Sequence, residues 1–303
     1  MSSSGMISAD DWNDADKVDT LFLAERLSQG RLAIMLGAGA SFGYGLPSWE
    51  KLIHNAYDLC KRPYPTGSTP NDASEHLLAT QCLGEEKCLA PLIQQALYKD
   101  FKSDPVLQPT PLLTAIGALV MASGKGHVSR IVSFNYDDLL ESYLEDHGFL
   151  IQAVIEAPSW NSLADVRIFH PHGFLPHGPH RSTSDTIVLT QYSFDKITGK
   201  SDNPWRRALL EICQEHTVLF IGLSGNDQNL LSILSDVKDQ HPAFPGDHCW
   251  GVRLTTSSDP TERSKWELRG ISNQVLSHYD ELPPRLLKIG RQAAERRRKH
   301  LMI

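Results

Sequence analysis

Glycine, amide, carboxylate and histidine residues collect at the ends of four short apolar runs. Leu32 to Leu36 leads into Gly37-Ala38-Gly39-Ala40-Ser41. Glycines in such a turn let backbone N–H groups approach a phosphate closely. Arg130 to Phe134 leads into Asn135-Tyr136-Asp137-Asp138. An amide there can orient water or a hydroxyl, and a carboxylate can support a developing positive charge. Val166 to His170 leads into Pro171-His172-Gly173. Histidine titrates near neutrality and can take a proton. Thr217 to Leu223 leads into a second glycine-containing turn, Gly222-Leu223-Ser224-Gly225-Asn226-Asp227, with a hydroxyl and a carboxylate.

Each motif also has an ordinary structural reading. The first loop could be a plain strand-to-helix turn. Asn135 and Asp137 could cap the helix that follows. His172 alone reads as a surface-loop histidine, and Trp49 as core. The dinucleotide fingerprint G-x-G-x-x-G/A is only half met: Gly37 and Gly39 fit, but Phe42 holds the third position. The acidic residue expected about 20 residues further on has no evident strand, which argues against a hydride-transferring dehydrogenase. Four histidines, His170, His172, His177 and His180, crowd one loop. Prolines and glycines make their spacing irregular and no thiol or carboxylate joins them, so no metal site is expected.

The elements that must position these loops follow from periodicity. The apolar runs read as buried strands. Helices are expected at 17–29, stopped by Gly30, and from Trp49, capped by Ser48 after Pro47. Further helical patterns fall near 72–82, 85–101 and 109–122, so 49–127 reads as a helical insertion between the first two strands. LLESYLEDHG after Asp138 is a helix ended by Gly148, and 149–155 a candidate strand. TIVLT at 186–190 reads as a strand and QYSFDKI as a helix. NPWRRALLEICQEH is a helix with Asn203 as cap and Pro204 at its first position. NLLSILSDVKD is a helix, 248–254 a strand, 260–269 a helix and 275–279 an edge strand. A final helix spans 281–300, and its basic run, 296–299, reads as a solvated helix end. Residues 1–16 are expected to form a mobile tail, and 17–303 one domain. Alternation of strands and helices predicts an α/β fold, a Rossmann-like, mostly parallel sheet with helices on both faces.

Composition sets bounds. The 303 residues are 41% hydrophobic and 21% charged, ordinary globular values with ample core. A formal net charge of -7 makes direct nucleic-acid binding an unexpected role. No apolar run is long enough for a bilayer, and the polar, acidic N-terminus lacks the features of a signal peptide. A soluble cytoplasmic protein is the expectation. Cys60, Cys82, Cys88, Cys213 and Cys249 include no C-x-x-C pair, and the odd count suggests free thiols.

Taken in order, GAGAS, SFNYD, PHG and GLSGND resemble the sirtuin family, and more closely its bacterial sirtuin-like branch in anti-phage defence. The resemblance covers about residues 31 to 279. It matches Gly37, Ala38, Gly39, Ala40 and Ser41 to a phosphate-cradling loop, continued by Gly45, Pro47 and Trp49. It implies that Asn135 and Asp137 hold a ribose and the reacting water, and that His172 is the catalytic histidine. Gly222, Ser224 and Asp227 match the loop at the adenosine half. The departures are also clear. The four-cysteine zinc module of the deacylases cannot be made here, Ser48-Trp49-Glu50 replaces their Asp-Phe-Arg, and Phe134 stands where glutamine usually precedes the asparagine.

The resemblance implies an NAD hydrolase: NAD and water give nicotinamide and ADP-ribose, depleting cellular NAD during infection. NAD is the substrate and no metal is implied. Control is expected from a homo-oligomer, or from a partner such as a HerA-type ATPase or a short Argonaute-type module, with no membrane involved. Two other readings stand beside it. One is a nucleotide-binding sensor or assembly subunit without turnover. The other is an NAD-dependent protein deacylase, which the missing zinc module disfavours.

Overall fold

The structure, a computed structural model, describes residues 14–101, 108–121, 127–157, 163–178, 181–190, 192–193, 203–225, 228–240 and 249–301. Seven strands form one sheet: β1 Leu32–Leu36, β2 Arg130–Ser133, β3 Ile151–Val154, β4 Val166–Phe169, β5 Thr217–Ile221, β6 Gly251–Thr255 and β7 Ile271–Val275. Their order is β3-β4-β2-β1-β5-β6-β7, and every neighbouring pair is parallel. β1 and β5 are buried at every position, as a parallel sheet covered on both faces requires. Alternate residues serve opposite cores. Leu32, Ile34 and Leu36 pack into one, with Leu23, Ile116 and Leu286; Ala33 and Met35 pack into the other, with Leu209, Phe220 and Leu234.

The chain winds away from β1 in both directions, through β2 on one side and β5 on the other. This is the doubly wound, Rossmann-like arrangement, whose ligand crevice opens at the carboxyl ends of the strands where the order reverses. On one face α1 Asp14–Ser28, α5 Pro111–Met121 and α10 Leu282–Leu301 pack together; on the other, α7 Pro204–Glu215 lies against α8 Gln228–Gln240. α6 Leu139–Asp146 follows β2, and α9 Pro260–Glu267 precedes β7.

Three helices between β1 and β2 pack as a group: α2 Trp49–Leu59 touches both α3 Pro70–Gln81 and α4 Leu89–Leu97. Their starts follow local chemistry. The Ser48 hydroxyl accepts from Lys51 N, while Thr69 and Asp72 form a reciprocal capping box with Pro70 in the first turn. α5 packs instead on α6 and α10, although it lies in the same stretch of sequence.

The structure corrects several expectations. Residues 186–190 form no strand. Their backbone serves the neighbouring loop instead: Val188 N donates to His172 O, and Val188 O accepts from the Tyr136 hydroxyl. The edge strand is 271–275, not 275–279. Its polar residues are satisfied from the sides, Ser272 and Gln274 by Asp19 and Gln274 also by Arg285, partners that period-2 hydropathy does not reveal. Helix α1 begins at Asp14, inside the stretch expected to be a tail. Cys82 and Cys88 form a disulfide, so Cys60, Cys213 and Cys249 are the free thiols. Leu83 and Gly84, both at positive φ, fold the chain back between the pair. Most of the expected QYSFDKI helix lies outside the described residues.

Candidate active site

β1 ends at Leu36, and Gly37 turns the chain into a short 3-10 helix, Ala38–Ala40, followed by Ser41. The loop is held against the end of β5. Gly37 N donates to Ile221 O at 2.9 Å and Gly39 N to Gly222 O at 3.4 Å. A side chain on Gly37 would place its Cβ 2.4 Å from Gly222 O, and Gly222 itself sits at φ +71. These glycines are required by backbone-to-backbone packing between two loops, whatever ligand lies above them.

β2 delivers Asn135 and Asp137 to the other side of the same loop. Asn135 Nδ2 donates to Gly37 O at 3.0 Å and to Ser41 Oγ at 2.9 Å. Because a carbonyl only accepts, the amide orientation is fixed. Ser41 Oγ then donates to Asp137 Oδ2 at 2.8 Å, and Leu139 N donates to Asp137 Oδ1 at 3.3 Å. Asp137 therefore accepts from the first residue of α6 and also closes a chain of side-chain bonds across two loops. Burial pushes its carboxyl up to about 6; the Ser41 and Leu139 bonds work against that rise, and the nearby Glu141 and Asp138 charges add to it.

β4 supplies the third loop. His172 O accepts from Val188 N, and the His172 ring meets Phe134 edge-on with centroids 5.0 Å apart. Leu175 N donates to Tyr136 O at 2.7 Å. Asp138 ties the far end of the loop down, accepting from His177 N at 2.9 Å and from Arg181 Nη1 at 2.6 Å. Below the cleft His170 is wholly buried. Its Nδ1 faces Asn135 O at 3.2 Å and its Nε2 faces Glu141 Oε1 at 2.7 Å. A carbonyl can only accept, so Nδ1 carries a proton, and a second proton must lie in the short Nε2–Oε1 contact.

These three loops floor a cleft of about 380 Å³. Ser41, Asn135 and Asp137 form its base; His172 and Phe134 stand at one side. The α2–α4 group roofs it with Trp49, Asn71 and Leu97, and Val188 to Thr190 close the edge. Trp49 Nε1 donates to Asn71 Oδ1 at 3.2 Å, bridging α2 and α3. Among the described residues no group of three or more His, Cys, Asp or Glu side chains is arranged to hold a metal, and no helix is long and apolar enough to cross a membrane.

Of the residues singled out in the sequence, Ala38, Ser41, Pro47, Trp49, Asn135, Asp137 and His172 all line this cleft. Gly37, Gly39 and Gly222 lie in the loop contact behind it, and Ala40 lines a smaller cavity on the far side of Ser41. Ser224 is exposed outside the cleft, while Asp227 and His180 lie outside the described residues. Sequence reasoning missed Asn71 and the 188–190 segment. It also missed the pairing of His170 with Glu141.

Residues 129–274 match the family model of the SIR2-like domain. That stretch is similar to the SIR2-like domain. The matched stretch begins just before β2 and so contains the Asn135, Asp137 and His172 loops, while the β1 loop precedes it. A curated relative, the NAD(+) hydrolase ThsA of Bacillus cereus (strain MSX-D12), is 23% identical over 274 residues, 85% of this chain. Those residues make up 53% of the relative, so the chain spans about half its length. Among solved structures, a Sir2 homologue in complex with NAD aligns at a TM-score of 0.47 and 14% identity, covering 90% of this chain and 94% of that one. A Sir2 homologue variant bound to ADP-ribose aligns at 0.46 and 16%, covering 93% and 97%.

Proposed function

We propose that this SIR2-like domain hydrolyses NAD at the bond between nicotinamide and ribose. The observation that carries the reading is the bond chain Asn135–Ser41–Asp137 at the base of the cleft, with His172 at its side. In NAD the departing base is a pyridinium, so it leaves as neutral nicotinamide without a general acid. The ribose passes through a cation-like state, as in glycoside hydrolysis. Asn135 orients the ribose hydroxyls and the attacking water. Ionised Asp137 supports the developing positive charge through Ser41. His172 takes the proton that water loses as its oxygen bonds to the ribose carbon. The apolar side chains of Leu46, Leu52 and Leu97 exclude bulk water.

The glycine loop, with Pro47 and Trp49, holds the dinucleotide; Gly222, Ser224 and Asp227 serve its adenosine half. Loss of NAD during infection is the biological role that this chemistry suits. A free-running NAD hydrolase would harm its host, which favours control by self-assembly or by a partner such as a HerA-type ATPase or short Argonaute-type module.

The test is release of nicotinamide and ADP-ribose from NAD by the purified chain, with and without co-purified partners, followed by chromatography. Asn135→Ala and His172→Ala should each abolish it. Parent-like activity in both variants would overturn these roles. NAD binding without turnover in any assembly would favour the sensor reading instead.

A further inference from the structure

Ser41, Asn135 and Asp137 line two spaces at once. They face the cleft on one side and, on the other, a small cavity of about 20 Å³. A single water needs roughly 10–15 Å³ together with two to four polar partners. This cavity meets both conditions. Leu113, Ile116 and Ile168 give it apolar walls, while Ser133, Asp137 and Glu141 bring polar groups to it.

The donor and acceptor inventory matches one molecule. Ser133 Oγ accepts from Asn135 N at 3.3 Å and keeps its own proton to donate. Glu141 uses Oε1 for His170, which leaves Oε2 with acceptor capacity. Asp137 receives Ser41 Oγ and Leu139 N, one bond on each oxygen, and each oxygen has a second lone pair. A water donating to Asp137 and Glu141 and accepting from Ser133 satisfies all three. Two buried carboxyls and a hydroxyl thus meet at one small polar space.

We propose that this cavity binds one ordered water, which joins the buried His170–Glu141 pair to the Asn135–Ser41–Asp137 chain, making His170 and Glu141 positioning residues of the reaction site. The water site stands on geometry alone; the positioning role rests on the proposed NAD cleavage. His170 fixes the backbone of Asn135 from below, and Ser41 fixes its side chain from beside. With the shared proton on His170 Nε2, the Glu141 carboxylate then reaches Asp137 through the water. Other groups facing Asp137 are Asp138 just before α6, Tyr44 after the glycine loop, Tyr98 after α4 and His172 on the β4 loop, with Arg181 pairing Asp138.

Glu141→Gln isolates the charge, because glutamine keeps the length of the side chain and an oxygen for His170. In the unliganded variant the Asp137 carboxyl, followed by carbon-13 NMR, should titrate at lower pH than in the parent, by about half a unit or more, because a like charge has been removed. The acid limb of NAD cleavage should move with it. A high-resolution crystal structure of the parent should show one water within hydrogen-bond distance of both carboxyls, and Ser133→Ala, which removes only a hydroxyl, should lose or displace it. An unchanged Asp137 midpoint in Glu141→Gln overturns the coupling. A dry cavity in the parent overturns the site. The water and the shift in a chain that cleaves no NAD would uphold the water site and overturn the proposed function.

Discussion

The Ser41 hydroxyl donates to the Asp137 carboxylate at 2.8 Å across 96 positions of sequence. Asn135 Nδ2 meets the same hydroxyl from the other side at 2.9 Å, so one small side chain orients both residues that β2 delivers to the cleft. Ser41→Ala leaves the Asn135 side chain its bond to Gly37 O and the Asp137 carboxylate its bond from the Leu139 N–H. A hydrogen bond to a charged group is worth about 1.5–3 kcal/mol, so the proposed turnover of NAD should fall roughly 10- to 160-fold. Because Asn135 still holds Gly37, affinity should fall less than turnover. Steady-state kinetics on the variant measure the split, and an unchanged kcat would remove Ser41 from the site.

Gly37→Ala tests the contact between the two glycine loops. The added Cβ would lie 2.4 Å from Gly222 O and 2.8 Å from Leu223 Cδ2. The first neighbour is backbone, which cannot swing aside, so the loops must part. Overpacking of this kind costs about 1–3 kcal/mol or more. Denaturant unfolding should show the loss, and calorimetry should show weaker NAD binding. Parent-like stability would mean that the loops are not held together by this contact.

The sheet is legible in the sequence because its strands are short, apolar and bounded by glycine or polar residues; β1, β2, β4 and β5 need no partner information to be recognised. The departures share a cause. TIVLT at 186–190 has the composition of a strand, yet its backbone groups bond to His172 O and the Tyr136 hydroxyl, and composition does not reveal who the partners will be. β7 is obscured for the opposite reason: Ser272 and Gln274 look too polar for a strand until Asp19, some 250 residues away, is brought beside them. In the site, ordered motifs locate Ser41, Asn135, Asp137 and His172. Asn71 carries no motif, and only the packing of α2 with α3 brings it to the cleft.

Asn71 should contribute to binding more than to catalysis. Indole N–H only donates, so the atom facing Trp49 Nε1 is Oδ1, and the amide NH₂ is left to donate elsewhere at the cleft mouth. Asn71→Ala removes that donor and frees Trp49. A neutral hydrogen bond contributes about 0.5–1.5 kcal/mol, so KM for NAD should rise roughly 2- to 12-fold with kcat little changed. A drop in kcat at constant KM would place Asn71 in the chemistry and not in the roof.

Asp137 should leave a signature in both activity and stability against pH. Its folded carboxyl titrates at about 6, against an ordinary value of 3.8, chiefly because it is buried. The folded state therefore holds this proton more tightly than the unfolded chain does. The resulting stabilisation is complete below the unfolded value and is lost as pH rises through about 6, on the order of 3 kcal/mol in all. Activity runs the other way, since the proposed role needs the ionised form, and NAD cleavage should rise through the same range. Asp137→Asn cannot ionise, so the stability difference between parent and variant should shift toward the variant as pH goes from about 4 to about 8, measured by urea unfolding. Cleavage by the variant should be low at every pH. A constant stability difference across that range would mean that Asp137 titrates normally and that the buried charge is not the source of the acid limb.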